Sequence, residues 1–67
     1  MINLTRMNNT VITVNDDLIE TMEETPDTVI TLTTGKKLVV NESIETIVSL
    51  IKEYKKELFK QDFLLGR

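Results

Sequence analysis

Carboxylates are the side chains with the clearest chemical potential in this chain, and they form two clusters. The clusters are Asp16-Asp17-Glu20 and Glu23-Glu24-Asp27. Carboxylate oxygens bind hard cations, but neither cluster has the spacing of a calcium loop or the glycine that such a loop needs. Two solvated turns are therefore favoured over a metal site, and we expect no metal and no cofactor.

The residues that usually perform catalysis are scarce. The chain has no histidine and no cysteine, which removes the commonest general base, the thiolate nucleophile and the usual transition-metal ligands. Ser43 and Ser49 are the only serines, and neither lies in a motif that would activate it. Gly35 and Gly66 stand alone, so no glycine-rich phosphate loop is present. We therefore expect no enzymatic activity and no catalytic residue.

Cationic groups are the next candidates, because they could bind nucleic acid. The local groups of cations are Lys36-Lys37 and the lysines of the predicted helix, which are Lys52, Lys55, Lys56 and Lys60. The net charge is −3 and the isoelectric point is about 4.8, which disfavours a broad phosphate-binding face. The aromatic residues occupy apolar positions of a predicted helix, so they form no stacking platform. A small nucleic-acid-binding regulator is kept only as the alternative function.

Two β-hairpins provide the first half of the scaffold. In residues 2–14, a loop of Met7, Asn8 and Asn9 would pair Leu4 with Ile12, and the left-handed conformation at Asn9 is one that asparagine tolerates. Residues 28–40 follow the same rule with a loop of Thr33, Thr34 and Gly35, which pairs Ile30 with Leu38. Superimposing the hairpins also aligns Asn15 with Asn41 and Asp16 with Glu42. Duplication and two independent hairpins both explain this similarity.

The segment between the hairpins is ambiguous. Asn15 could cap a short helical turn, and residues 19–25 form either a third strand or a short helix. We favour a strand that pairs with residues 28–33 after a turn at Pro26. Its mixed faces indicate an edge position, where glutamates discourage aggregation between sheets and could meet a basic partner. This predicted charged surface consists of Glu20, Glu23 and Glu24.

One long helix is predicted for residues 41–65. Apolar residues recur at spacings of three and four from Ile44, Asn41 would be the N-cap, and Glu42 and Glu45 would occupy the first turn. The predicted fold is thus a single small α+β domain: an antiparallel β-meander of about five short strands over residues 1–40, followed by this C-terminal helix. With so few residues, burial is limited and self-association would add stability.

The end of the helix is the main candidate for contact with another chain. A helix to Leu65 would be about 36 Å long, whereas a six-residue strand spans only about 20 Å, so its last turns would overhang the sheet. Either these turns contact another molecule or they fray; we favour contact, with a second copy of the chain as the expected partner. The predicted surface comprises Tyr54, Leu58, Phe59, Phe63, Leu64 and Leu65.

Two stretches of the sequence resemble a known family. They are M-I-N-L-T-R at the start and D-L-I-E-T-M-E-E-T-P-D-T-V-I-T-L-T-T-G-K-K-L-V-V-N-E-S over residues 17–43. They resemble the small bacterial flagellar proteins called FlbD or SwrD, and the similarity covers roughly residues 1–56. Asn9 stands where family members often have glycine, and residues 60–67 lie beyond the similar region.

The resemblance implies a non-enzymatic accessory of flagellar motility. Such a protein would support motor torque during swarming through contacts with the motor and its stator units. It would lie in the cytoplasm, at the flagellar base. We expect no membrane insertion, because no apolar run approaches the roughly 18 residues of a membrane span. The family supplies no catalytic or binding residue that could be transferred to this chain.

Overall fold

The fold comprises five short antiparallel strands and one C-terminal helix, as the sequence predicts. A computed structural model describes residues 1–64 of the chain, with side chains as far as Phe59. The elements are β1 (Ile2–Thr5), β2 (Val11–Val14), a short 3-10 turn (Asp16–Leu18), β3 (Ile19–Glu24), β4 (Thr28–Leu32), β5 (Lys37–Val40) and α1 (Ile44–Leu64). The prediction of an α+β fold is confirmed.

Both predicted hairpin registers are confirmed. β1 and β2 form a two-stranded sheet in which Leu4 lies opposite Ile12. β3, β4 and β5 form a second sheet in that order, and Ile30 lies opposite Leu38. Asn9 and Gly35 both have positive φ angles, of 66° and 90°, because each closes a three-residue loop. The similarity of the two hairpins in sequence therefore corresponds to a similarity in backbone geometry.

The segment between the hairpins combines both of its predicted conformations. Asn15 caps the short 3-10 turn, and its side-chain oxygen accepts a hydrogen bond from the Asp17 N–H at 3.1 Å. The chain then enters β3, so the preferred interpretation of this segment as a strand is confirmed. Within residues 1–64, β3 pairs only with β4, which confirms the predicted position at the edge of the sheet.

Backbone contacts join the two sheets where β1 meets the end of β5. Arg6 forms an isolated antiparallel bridge with Val40, and the Asn41 N–H donates to the Thr5 carbonyl oxygen at 2.8 Å. At the other hairpin, the Thr33 N–H donates to the carbonyl oxygen of Leu18, also at 2.8 Å. These bonds hold the hairpins in one arrangement and close the apolar core between them.

The core takes side chains from both hairpins and from the helix. Its buried apolar residues are Ile2, Leu4, Val14, Ile30, Leu38, Val40 and Ile47. Each such side chain contributes about 1.5–3 kcal/mol when it is fully buried. Ile47 is the helical member, and it is completely inaccessible to solvent. The helix is therefore docked mainly through its first turns.

The helix start differs from the prediction, because α1 begins at Ile44 and its cap is Ser43. The Ser43 hydroxyl oxygen accepts a hydrogen bond from the Thr46 N–H at 3.1 Å. The predicted cap, Asn41, instead donates from its side chain to the Arg6 carbonyl oxygen. Glu42 precedes the helix and does not lie in its first turn. Contacts with β1 hold residues 41–42 outside the helix, and these contacts were not visible in the local sequence.

The left-handed loop positions provide a test of the hairpin geometry. Replacing Gly35 with valine should destabilise the protein by about 1–2 kcal/mol, because a β-branched residue is strained at positive φ even where space is open. Asn9→Val should have a similar cost, whereas Asn9→Gly should be nearly neutral. Thermal unfolding measures all three, with about 4–8 °C expected per kcal/mol in a domain of this size. Equal melting temperatures for Asn9→Val and Asn9→Gly would contradict this geometry.

Candidate interaction surfaces

The apolar stripe of α1 emerges gradually from the core. Ile47 is fully buried, Ile51 and Tyr54 are half-buried against the core, and Leu58 is 43% exposed. Phe59 is 75% exposed, the highest value among the large apolar residues of the described chain. The first part of the predicted apolar stripe therefore packs within the protein itself. The surface that continues toward solvent begins at Leu58.

The length of the helix explains this gradient. α1 has 21 residues, which corresponds to about 32 Å, and the longest strand has only six residues. The molecule measures 43 × 23 × 19 Å, and α1 packs mainly against β1 and β3. Because the sheet is shorter than the helix, it cannot cover the later turns of α1.

The predicted helix-end surface is described only in part. Tyr54 belongs largely to the core, and Leu58 and Phe59 are the members with exposed side chains. Phe63 and Leu64 are within α1, but their side chains lie outside the described residues, as does the whole of Leu65. The name helix-end surface is therefore used below for Leu58 and Phe59.

The three glutamates of the predicted charged surface are not equivalent. All three are exposed on β3, but the Glu24 carboxylate accepts a hydrogen bond from the Ile44 N–H at 2.8 Å. Glu24 thus supplies a negative charge at the positive end of the helix dipole. Glu23 is the adjacent residue and its side chain leaves the strand on the opposite face. Glu20 and Glu23 are therefore the members that remain for contact with a partner.

An ion-pair cluster that the sequence did not predict lies beside the helix. The Asp16 side chain is only 1% exposed and accepts from the amino group of Met1 at 3.1 Å. The Lys55 ammonium lies 3.2 Å from the other Asp16 oxygen and 2.8 Å from Asp17. This cluster ties the middle of α1 to the 3-10 turn and to the start of β1. The cluster also engages Lys55, one of the helix lysines considered above for nucleic-acid binding.

The electrostatics of the cluster favour its charged form. Burial alone would raise the pKa of Asp16, but hydrogen bonds from the Met1 amino group and from Lys55 outweigh burial, so the pKa lies below its ordinary value. The two carboxylates have the opposite effect on Lys55: Asp17, and then Asp16, raise the pKa of its ammonium group. The exposure of Lys55 to solvent limits the strength of these pairs.

Glu42 is the counterpart of Asp16 in the other hairpin. Its two carboxylate oxygens accept from the Thr5 N–H at 2.9 and 3.1 Å. Burial would raise the pKa of Glu42, but the hydrogen bond from Thr5 prevails and lowers it. The sequence aligns Asp16 with Glu42 in the two hairpins, but the alignment does not by itself show that either carboxylate anchors β1. Both carboxylates hold β1, one near its start and one at its end.

Other kinds of site receive little support from the described part of the chain. Within it, no group of three acidic residues converges as metal ligands would. No helix within residues 1–64 combines the length and apolar character needed to cross a membrane. The arrangement offers surfaces for contact with other molecules, of which the helix-end surface is the most apolar.

Comparison with known protein families gives a match over most of the chain. The family model FlbD, described as flagellar and swarming motility proteins, matches residues 1–59. This is slightly more than the similar region predicted from the sequence, and it includes Leu58 and Phe59. No curated protein and no solved structure matches the chain.

The buried carboxylate predicts a pH-dependent contribution to stability. The lowered pKa of Asp16 means that the unfolded chain binds more protons in acid, so this contribution is present at neutral pH and is lost as pH falls through the folded pKa. Asp16→Asn should lower the melting temperature at pH 7 by about 5 °C, the shift expected for about 1 kcal/mol. The difference from the wild type should shrink below about pH 4.

Asp27→Asn is the matched control, because it removes the same charge from an exposed turn. It should leave the melting temperature nearly unchanged at neutral pH. A deficit in Asp16→Asn that stays constant from neutral to acidic pH would mean that Asp16 acts through packing and not through its charge.

Proposed function

Because this chain belongs to the FlbD family of flagellar and swarming motility proteins, we propose that it is a non-enzymatic accessory of the flagellar motor. It acts through protein–protein contacts in the cytoplasm at the flagellar base, where it supports the torque that the stator units deliver during swarming. The observation that carries this proposal is the helix-end surface, which is exposed although its residues are among the most apolar in the chain.

The exposed side chains of Leu58 and Phe59 are a source of binding free energy. Burial of each such side chain against a partner would gain about 1.5–3 kcal/mol, before the costs of association are counted. Isolated apolar residues on a surface are common, but these two are neighbours in sequence, and Leu58 continues a stripe that begins in the core. A partner that packs against the end of α1 would therefore cover the apolar surface that the sheet is too short to cover.

A second copy of the chain is the occupant that we propose for the helix-end surface. The spacing of three and four that runs through Ile47, Ile51, Tyr54 and Leu58 is the pattern by which helices pack against each other. In the sequence this spacing continues to Leu65 and is interrupted by Gln61. Pairing between copies would also relieve the marginal stability of a small domain.

Self-association is tested by replacing Leu58 and Phe59 together with glutamine. The solution mass is measured by light scattering over a hundredfold range of concentration. We expect the wild type to associate and the Leu58→Gln, Phe59→Gln variant to be shifted toward a monomer of 7.7 kDa. Motility should fall in cells that carry the variant in place of the wild type.

The control for this experiment removes equivalent apolar groups elsewhere. Met7 and Val11 are 55% and 64% exposed on the first hairpin, so Met7→Gln, Val11→Gln should leave the mass distribution unchanged. A wild-type protein that is monomeric at every concentration would refute self-association. Normal swarming by the Leu58→Gln, Phe59→Gln variant would remove the helix-end surface from the motility function.

Contact with the motor is the second part of the proposal. Glu20 and Glu23 would meet basic segments of a motor component, and such charges mainly accelerate encounter. The variant Glu20→Lys, Glu23→Lys should therefore reduce swarming while its melting temperature stays close to that of the wild type. Glu24 is left intact because it binds the start of the helix.

The variant Glu53→Lys, Glu57→Lys provides the charge-matched control, because both residues are exposed on α1. Equal loss of swarming in the two double variants would indicate a general effect of net charge. Normal swarming by the folded Glu20→Lys, Glu23→Lys protein would exclude the edge of β3 as a motor contact.

A further inference from the structure

A cavity between the two hairpins carries a charge opposite to that of the protein as a whole. Its volume is about 280 Å³, and one side is formed by the run from Ile12 to Asn15. Leu18, Leu32 and Leu38 supply apolar surface, and the exposed Arg6 and Lys36 supply its only charges. No carboxylate lines it, although acidic residues outnumber basic residues by 11 to 8 in the chain.

The two cations of the cavity are not neutralised within the described part of the protein. Among the side chains described, the ion pairs within 4 Å involve Lys55 and the Met1 amino group, and none involves Arg6 or Lys36. The backbone of Arg6 is nevertheless held in place by its bridge to Val40. The guanidinium therefore extends from a fixed point of the fold and can bind a carboxylate through two parallel hydrogen bonds.

β2 presents an unpaired edge on the side away from β1. The Arg6 N–H donates to the Thr10 carbonyl oxygen, so Arg6 and Thr10 form a hydrogen-bonded pair. Hydrogen-bonded and non-hydrogen-bonded pairs alternate along an antiparallel ladder, so the next pair, Thr5 and Val11, is not hydrogen-bonded. By the same alternation, the backbone groups of Val11 and Thr13 point away from β1. Within residues 1–64, no strand pairs with this edge. An extended peptide could add to it as a further strand.

From this juxtaposition we propose that the cavity and the free edge of β2 bind an extended acidic peptide segment of another protein. The peptide backbone pairs with Val11 and Thr13, an apolar side chain of the peptide enters the cavity, and neighbouring Asp or Glu side chains bind Arg6 and Lys36. The site is separate from the helix-end surface and from Glu20 and Glu23, so it defines a second, oppositely charged partner surface.

Other occupants fit the cavity less well. Its volume of about 280 Å³ is at the lower limit of the range of about 300–1,000 Å³ that is typical of small-molecule sites. No aromatic ring lines it, so it lacks the stacking platform on which single-stranded nucleic acids depend. A carboxylate-bearing peptide uses both the cations and the strand edge, whereas a free anion would use only the cations.

The test begins with selection of a random-peptide phage library on the full-length protein. We expect enrichment of sequences in which acidic residues flank an apolar residue. Synthetic versions of the selected peptides are then titrated into isotope-labelled protein, and amide signals are followed by NMR. Shifts should concentrate at Val11, Thr13 and residues 32–38, and the Val11 and Thr13 amides should become protected from exchange.

Two charge-matched variants separate this site from general electrostatics. Arg6→Gln, Lys36→Gln should weaken peptide binding by about tenfold, since both charge-assisted contacts are lost. Lys52→Gln, Lys56→Gln removes the same charge from α1 and should change affinity by less than about twofold. Both residues of the control pair are exposed, and circular dichroism checks that all variants remain folded.

Several results would overturn the proposal. They are the absence of selected peptides, selection without acidic enrichment, equal weakening by the two double variants, and amide shifts that map away from β2. Tighter binding of a single-stranded RNA oligomer that also depends on Arg6 and Lys36 would reassign the site to nucleic acid. None of these outcomes depends on swarming. If the peptide-binding proposal is refuted, the proposed flagellar function is therefore unaffected and is tested by the experiments given for it above.

Discussion

The hydrogen bonds of Thr5 are the constraint on which the remaining structure depends. Thr5 lies at a position of β1 whose backbone groups point away from β2, so they would be unsatisfied without an outside partner. Glu42 accepts from the N–H and Asn41 donates to the carbonyl oxygen. Through these bonds the second hairpin is joined to the first, and the chain is directed from β5 to the start of α1. Loss of this junction would separate the two hairpins and open the shared core.

Carboxylates provide further contacts between segments that are distant in the sequence. Asp16 and Glu42 follow equivalent strands of the two hairpins and both anchor β1, while Glu24 binds the start of α1. In a chain without cysteine, such charge-assisted hydrogen bonds provide the cross-links that disulfides provide in other small domains. Asp16, Asp17 and Glu24, which belong to the acidic clusters of the sequence, therefore serve the fold. Glu20 and Glu23 have no comparable structural role among the described residues.

The surfaces left over after the core is formed differ in character. The helix-end surface is apolar because α1 is longer than the sheet that covers it. The edge of β3 is acidic, and the cavity beside β2 is basic and partly apolar. A small domain can bury only part of its apolar surface. Partners that cover the remaining surface would add stability as well as function.

The sequence alone determined the two hairpins, their registers and the presence of the helix, because these depend on local rules. Alternation places Ile2 and Leu4 on one face, and only asparagine or glycine readily takes the left-handed position that closes each loop. The sequence also predicted, from the length of the helix relative to the strands, that its last turns extend beyond the sheet. Tertiary structure decided the features that join distant segments: the cap at Ser43, the binding of Glu24 to the helix start, the burial of Asp16 beside Lys55, and the cavity between the hairpins. These features depend on which residues come into contact after the hairpins pack. The periodicity of a single segment does not specify its contacts with distant segments.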